Sequence, residues 1–227
     1  MESELDIFYK KRNNKFMLNN LGLGLTDKAS PSHINHGRSY LDIYEDYFDP
    51  IKDKNLNVLE IGINNGGSLK LWKKYFKNSK IFGLDIDPRC KAYAEENVNV
   101  HIGSQGDEET ISKLVGDAKT FDIIIDDGSH VNELTIKSFH LLFNKLNSNG
   151  YYIIEDMGCS YSENLQDDII NGGWPGMRYN FGVKMTNIRS HMDDFLNSLI
   201  HHVDREVNAC KIRYVHFYRD LVVIKKL

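Results

Sequence analysis

From about residue 57 the chain alternates short apolar runs with longer segments of helical periodicity, and this rhythm constrains the fold more than any other feature. Asn57–Gly62, Lys80–Asp85, Val98–Ile102, Phe121–Asp126 and Tyr151–Glu155 read as strands. Several are apolar without interruption, as strands covered on both faces must be. Between them, Leu69, Trp72, Tyr75 and Phe76 repeat at helical spacing, with Ser68 the expected N-cap. Phe139, Leu142, Phe143 and Leu146 form a second stripe that Asn149-Gly150 should stop. Ile188, Met192, Phe195, Leu196, Leu199 and Val203 form a third. Such alternation folds as a parallel sheet with helices on both faces. The chain ends differently. Lys211–Tyr218 and Leu221–Lys225 are strand-like runs joined by Arg219-Asp220 alone, too short for a crossover, so this pair is an antiparallel hairpin. The predicted architecture is α/β, a doubly wound, Rossmann-like seven-stranded sheet with an antiparallel C-terminal hairpin.

Residues 1–37 lack this rhythm; they are polar and Asn-rich, with Gly22, Gly24 and Pro31 among turn formers. They are expected to form a cap, and Leu41, Tyr44, Tyr47 and Phe48 mark a helix after it. The expected organisation is a cap or lid over residues 1–40 and one domain over residues 41–227. With 227 residues, 41% of them hydrophobic, the chain can bury one sizeable core. A net charge of -4 offers no electrostatic reason for a nucleic-acid partner. No run approaches the roughly 18–20 apolar residues that span a bilayer. The acidic start Met1–Glu4 is unlike a signal peptide. Cys90, Cys159 and Cys210 are odd in number and far apart, so neither a disulfide framework nor a zinc site is expected. A reducing, cytoplasmic location is the expectation. Cys159 is read as a small buried hydrophobe.

The first strand runs into Gly62-Ile-Asn-Asn-Gly66-Gly67-Ser68, a glycine-punctuated turn suited to close approach of a ligand. A dinucleotide fingerprint would require glycine at position 64, where this chain has Asn. S-adenosylmethionine (SAM) carries no pyrophosphate and makes no such demand, so the loop favours SAM over NAD. Asp85, at the end of the second strand, is placed to accept from both ribose hydroxyls, and Gln105 lies where an adenine edge is expected. Five parallel strands followed by a hairpin is also the element order of the SAM-methyltransferase fold.

The fourth strand ends in Asp126-Asp-Gly-Ser-His130 and the fifth in Glu155-Asp156. Neighbouring strands bring Asp127, Glu155 and Asp156 to one crevice, where they repel unless protonated or joined by a cation. An oxygen-only set selects a hard ion such as Mg²⁺. His130 lies close enough to take a proton from a hydroxyl held at the same ion. The plainer alternatives are a surface histidine and acids that cap the following helix.

These strings together resemble a known family. Leu59-Glu-Ile-Gly62, Gly66-Gly-Ser-Leu69, Gly83-Leu-Asp-Ile86, Ile125-Asp-Asp-Gly-Ser-His130 and Ile154-Glu-Asp156 are similar to the metal-dependent sugar O-methyltransferases of macrolide biosynthesis and to the cephalosporin hydroxylase-like group. The resemblance covers roughly residues 26–227, taking in Thr26-Asp-Lys28, His33, Tyr40 and His216-Phe-Tyr218. It implies that Asp127, Glu155 and Asp156 hold Mg²⁺, that His130 is the general base, and that Glu60, Gly62, Ser68, Asp85, Gln105 and Asp126 face SAM. The implied activity is O-methylation of a sugar hydroxyl, on a nucleotide-linked sugar or a glycan unit of a bacterial surface polysaccharide. A small natural product or an amine as acceptor, an NAD-dependent oxidoreductase, and a SAM-binding protein without catalysis are the alternatives. A homo-oligomer is the expected assembly. Residues 20–40 and 171–177 are expected to close over the acceptor, with Trp174 either a stacking platform or core.

Overall fold

The computed structural model describes residues 17–29, 37–163, 186–204 and 211–227. Within these, α1 (Met17–Gly22) and α2 (Tyr40–Phe48) precede the alternating units. Then come β1 (Asn57–Ile61), α3 (Gly67–Tyr75), β2 (Lys80–Asp85), β3 (Val98–Ile102), α4 (Glu108–Ala118) and β4 (Phe121–Asp126). The chain continues through α5 (Asn132–Leu142), β5 (Leu146–Ile154), α6 (Arg189–Asp204), β6 (Ile212–Tyr218) and β7 (Leu221–Lys226). The sheet order is β3-β2-β1-β4-β5-β7-β6, with β7 antiparallel to both β5 and β6. The expected seven-stranded sheet with a terminal hairpin is the observed fold.

The pleat sorts alternate side chains into two cores. Val58, Ile81, Val100, Ile123, Ile125 and Ile153 face α1, α2 and α3, where Phe48 and Trp72 pack edge to face. Leu59, Phe82, Leu84, Ile124, Tyr152 and Ile154 face α4, α5 and α6, where Phe139 meets Phe143, Tyr152 and Phe195. Burial on both faces explains why these strands read as unbroken apolar runs.

Three local expectations are corrected. Ser68 is not the N-cap of α3; Gly66 is, at φ +73, and a Cβ there would lie 2.6 Å from the Tyr93 ring. Only glycine enters the helix that way without strain, which leaves Ser68 inside the first turn. Asn149-Gly150 does not stop a helix, and Leu146 is not helical. The helix ends at Leu142 and Leu146 opens β5, paired with Phe121. The pairing register of β4 and β5 then shifts, Asn149 takes φ +62, and Asn147 bonds the Asp122 carboxylate at 2.8 Å. Cross-strand pairing outweighs the helical periodicity here. In the third stripe Met192, Phe195 and Leu199 are buried, whereas Ile188 and Val203 are exposed. Of the three cysteines, Cys90 is buried and Cys159 half-buried. Cys210, His33 and the segment 171–177 with Trp174 lie outside the described residues.

Residues 17–29 pack as part of the domain. Leu18 is fully buried, and Glu45 of α2 accepts from the backbone N–H groups of Met17 and Leu18, satisfying the start of α1. The backbone of Leu25 passes so close to Gly67 that a Cβ on the glycine would lie 1.7 Å from the Leu25 carbonyl oxygen. No helix among the described residues is long and apolar enough to cross a membrane.

A close backbone approach also joins the ends of β1 and β4: Gly62 stands at φ +89, and a Cβ there would lie 1.9 Å from the Asp127 carbonyl oxygen. Gly62→Ala combines left-handed strain with overpacking and should destabilise the fold by at least about 2 kcal/mol, read from urea unfolding.

Candidate active site

The strand order reverses between β1 and β4, and in a doubly wound sheet a ligand crevice opens beyond the carboxyl ends at such a point. Backbone bonds tie those ends together: Gly62 N–H donates to Leu84, Asp127 N–H to Ile61 and Glu155 N–H to Asp126. The loop after β1 is held by Asp85, whose Oδ2 accepts from the N–H groups of Ile63 at 2.7 Å and Asn64 at 3.1 Å. Its Oδ1 accepts from Asp87 N–H at 2.8 Å. Asp85 thus shapes the loop itself.

Two residues expected to face the cofactor are turned inward. Gln105 is buried and donates from Nε2 to Asp126 at 3.0 Å, while its Oε1 accepts from Ser129 N–H at 2.8 Å. Asp126 is buried as well, bonded also by Ser138 at 2.5 Å and Tyr152 at 3.3 Å. Burial pushes its carboxyl up to about 6, against these donors. The pair braces the floor of the crevice and the Ser129-His130 turn. A Cβ at Gly128 would lie 2.2 Å from Gln105 Oε1, so a side chain there would displace the Gln105 amide.

Above that floor the acids gather. The ligating atoms of Asp127, His130 and Asp156 all lie within 4.8 Å of one another, with His130 Nε2 3.7 Å from Asp127 and 3.6 Å from Asp156. His130 and Asp156 both adopt left-handed backbone, φ +55 and +53, which aims each side chain back into the cluster. Non-glycine residues pay for that conformation, and such strain concentrates at functional sites. Glu155 is deeper. Its Oε1 accepts from the Tyr44 hydroxyl at 2.5 Å and its Oε2 from the Lys28 ammonium at 2.8 Å.

Lys28 enters from the short 3-10 turn Asp27–Ala29 and is 2% exposed. Its ammonium also contacts Asp127 Oδ2 and lies 3.4 Å from Glu60 Oε1, so one cation spans an acid on β1 and acids directly after β4 and β5. Burial alone would lower the lysine pKa; the three carboxylates outweigh it and hold the ammonium charged. The acids respond to burial in the opposite sense. Glu60 is pushed up to about 7, and Asp127 and Glu155 are raised, because desolvation exceeds the help from Lys28. Glu60 keeps Trp72 Nε1 at 3.0 Å and Ser68 as further donors, yet its Oε1 makes no hydrogen bond among the described residues. Tyr40, one turn before Tyr44 on α2, donates to Asp156 at 3.0 Å. In the sequence Tyr44 marks only a helix, and neither Lys28 nor Tyr40 has a site role by spacing. Their signal was faint: Thr26-Asp-Lys28 and Tyr40 stood out only through the family resemblance.

No family model matches the chain. Curated proteins do. It is 29% identical over 206 residues to the 8-demethyl-8-alpha-L-rhamnosyl tetracenomycin-C 2'-O-methyltransferase of Streptomyces olivaceus, a match covering 83% of this chain and 50% of that one. It is 35% identical over 141 residues to the mycinamicin VI 2''-O-methyltransferase of Micromonospora griseorubida, covering 59% and 32%. Both of these relatives are named as O-methyltransferases. A solved structure of MycE, from the mycinamycin pathway in complex with Mg, SAH and mycinamycin VI, matches with a TM-score of 0.69 at 27% identity, covering 92% of this chain and 54% of that one. The fold is that of the class I SAM methyltransferases. The chain spans about a third to a half of the length of the two curated relatives.

The residues present fit a divalent ion and a sulfonium cofactor by charge. Glu60, Asp127, Glu155 and Asp156 carry four negative charges when ionised and Lys28 supplies one positive charge, leaving three to neutralise. That remainder equals a dication plus a sulfonium. Burial raises the pKa values of Glu60, Asp127 and Glu155, and a bound cation would act against that rise.

The Tyr44 bond tests how tightly the cluster is built. Tyr44→Phe leaves a buried oxygen of Glu155 without its donor and should cost about 1.5–3 kcal/mol in urea unfolding. Tyr75→Phe, whose buried hydroxyl has no hydrogen-bond partner among the described residues, should cost much less.

Proposed function

We propose that this protein transfers a methyl group from SAM to a hydroxyl of a sugar, with Mg²⁺ at the acid cluster and His130 as the general base. One observation carries the reading: Asp127, His130 and Asp156 converge at the switch point of a class I methyltransferase sheet. The named activities of its homologues support it. In this reading Asp127, Asp156 and Glu155 hold the metal, and the Asp85-braced loop with Gly62, Glu60 and Ser68 holds the cofactor. Gln105 and Asp126 support that pocket from below.

When bound, SAM would supply an electrophilic methyl group and Mg²⁺ a Lewis acid that lowers the pKa of the acceptor hydroxyl. The chain does the rest. His130 is buried, 9% exposed, and its Nε2 points between the two acids, where it can accept the hydroxyl proton. Asp127 and Asp156 then face the imidazolium and stabilise it. Asn187 bonds the His130 carbonyl at 3.0 Å and the Cys159 carbonyl at 2.7 Å, locking the turn that presents the imidazole.

The acceptor is proposed as a sugar hydroxyl and no more narrowly. The relatives are named for sugars carried on tetracenomycin or mycinamicin, and they lend no support to a nucleotide-linked sugar or surface polysaccharide.

Methyl transfer from SAM to a panel of glycosides should disappear with EDTA and return with Mg²⁺. His130→Ala should lower kcat by roughly 10²–10⁴ while calorimetry shows SAM binding retained. Full activity in EDTA would remove the metal from the mechanism. Asp85→Ala releases the loop after β1 and should weaken SAM binding by about 1.5–3 kcal/mol; unchanged affinity would refute its role.

A further inference from the structure

We propose that Lys28 is a built-in cation of the metal site, a positioning residue that grips Asp127 and Glu155 and so competes with the divalent ion for them. The inference rests on reading the acid cluster as a metal site. Lys28 touches Asp127 Oδ2 and Glu155 Oε2, and Tyr44 occupies Glu155 Oε1. Asp127 Oδ1 and Asp156 Oδ2 remain turned toward His130. A divalent ion drawing on all three acids therefore meets an ammonium already bonded to two of them. Lys28 is shielded from water, and a second cation drawn to the same carboxylates would be repelled strongly where the dielectric is low. Among the described residues no other lysine or arginine pairs with Glu60, Asp127 or Glu155.

The arrangement serves two purposes. Without metal, Lys28 offsets charge that would otherwise force the acids apart or fully protonate them, so the cluster keeps its shape. It also ties residues 27–29 to the ends of β1, β4 and β5, since its ammonium reaches all three acids from that turn. Metal binding must weaken that tie, and by linkage the tie must weaken metal binding to the same extent.

The experiment measures Mn²⁺ affinity by calorimetry on the whole chain without SAM or acceptor. Lys28→Met keeps the length of the side chain and removes its charge, and it should bind Mn²⁺ at least tenfold more tightly than the unaltered protein. Lys28→Arg, which keeps the charge, should stay within about threefold of it. Equal or weaker binding by Lys28→Met, in a variant whose circular dichroism matches the parent, would overturn the proposal. A purely structural lysine predicts that weaker binding. Should Lys28→Met fail to fold, the unaltered protein still decides the matter: saturating Mn²⁺ should accelerate amide exchange in the peptide 17–29. Unchanged or slower exchange would overturn the competition. Absence of Mn²⁺ binding to the unaltered protein would instead overturn the metal reading, and this inference with it.

Discussion

Glu60, Asp127 and Glu155 are carried to one point by three neighbouring strands, and the ammonium of Lys28 closes over them. Carboxylates out of water are unstable without a counter-charge, and breaking a buried pair leaves an uncompensated ion. The remaining architecture is arranged to make this concentration of charge possible. The parallel sheet aligns the strand ends, α2 lays Tyr40 and Tyr44 against the Asp156 and Glu155 carboxylates, and the 27–29 turn supplies the cation. The segment 17–29 is therefore tied to the acid cluster. Its helix start is satisfied by Glu45, and its backbone presses on the Gly66-Gly67 turn.

The same edge shows how the chain separates support from chemistry. Gln105, Asp126, Ser138 and Tyr152 form a closed network beneath the crevice, all of them buried. Their bonds fix the Ser129-His130 turn from below, while Asn187 holds it from the side of α6. The side chains left toward the crevice are Asp127, His130 and Asp156, two of which sit on left-handed backbone. A rigid floor is what allows strained residues above it to persist, because the surroundings over-determine their conformation.

Local sequence by itself determined the sheet, the hairpin and the residues at the crevice. Burial on both faces demands unbroken apolar runs, a two-residue connection permits only an antiparallel pair, and strand-terminal acids cannot avoid the carboxyl edge. Those constraints act within a few residues and leave a periodic trace. Local signals misled where tertiary contact overrode them, as at Leu146, which pairs with Phe121 instead of completing a helix. Tertiary structure alone decided who serves the site. Lys28 meets Asp127 across 99 positions and Glu155 across 127, and Tyr44 meets Glu155 across 111. No spacing rule links such residues, because only the packed sheet brings them together. It also turned Gln105 and Asp126 inward, since hydrogen-bonding each other under the floor satisfies groups that burial would otherwise leave unpaired.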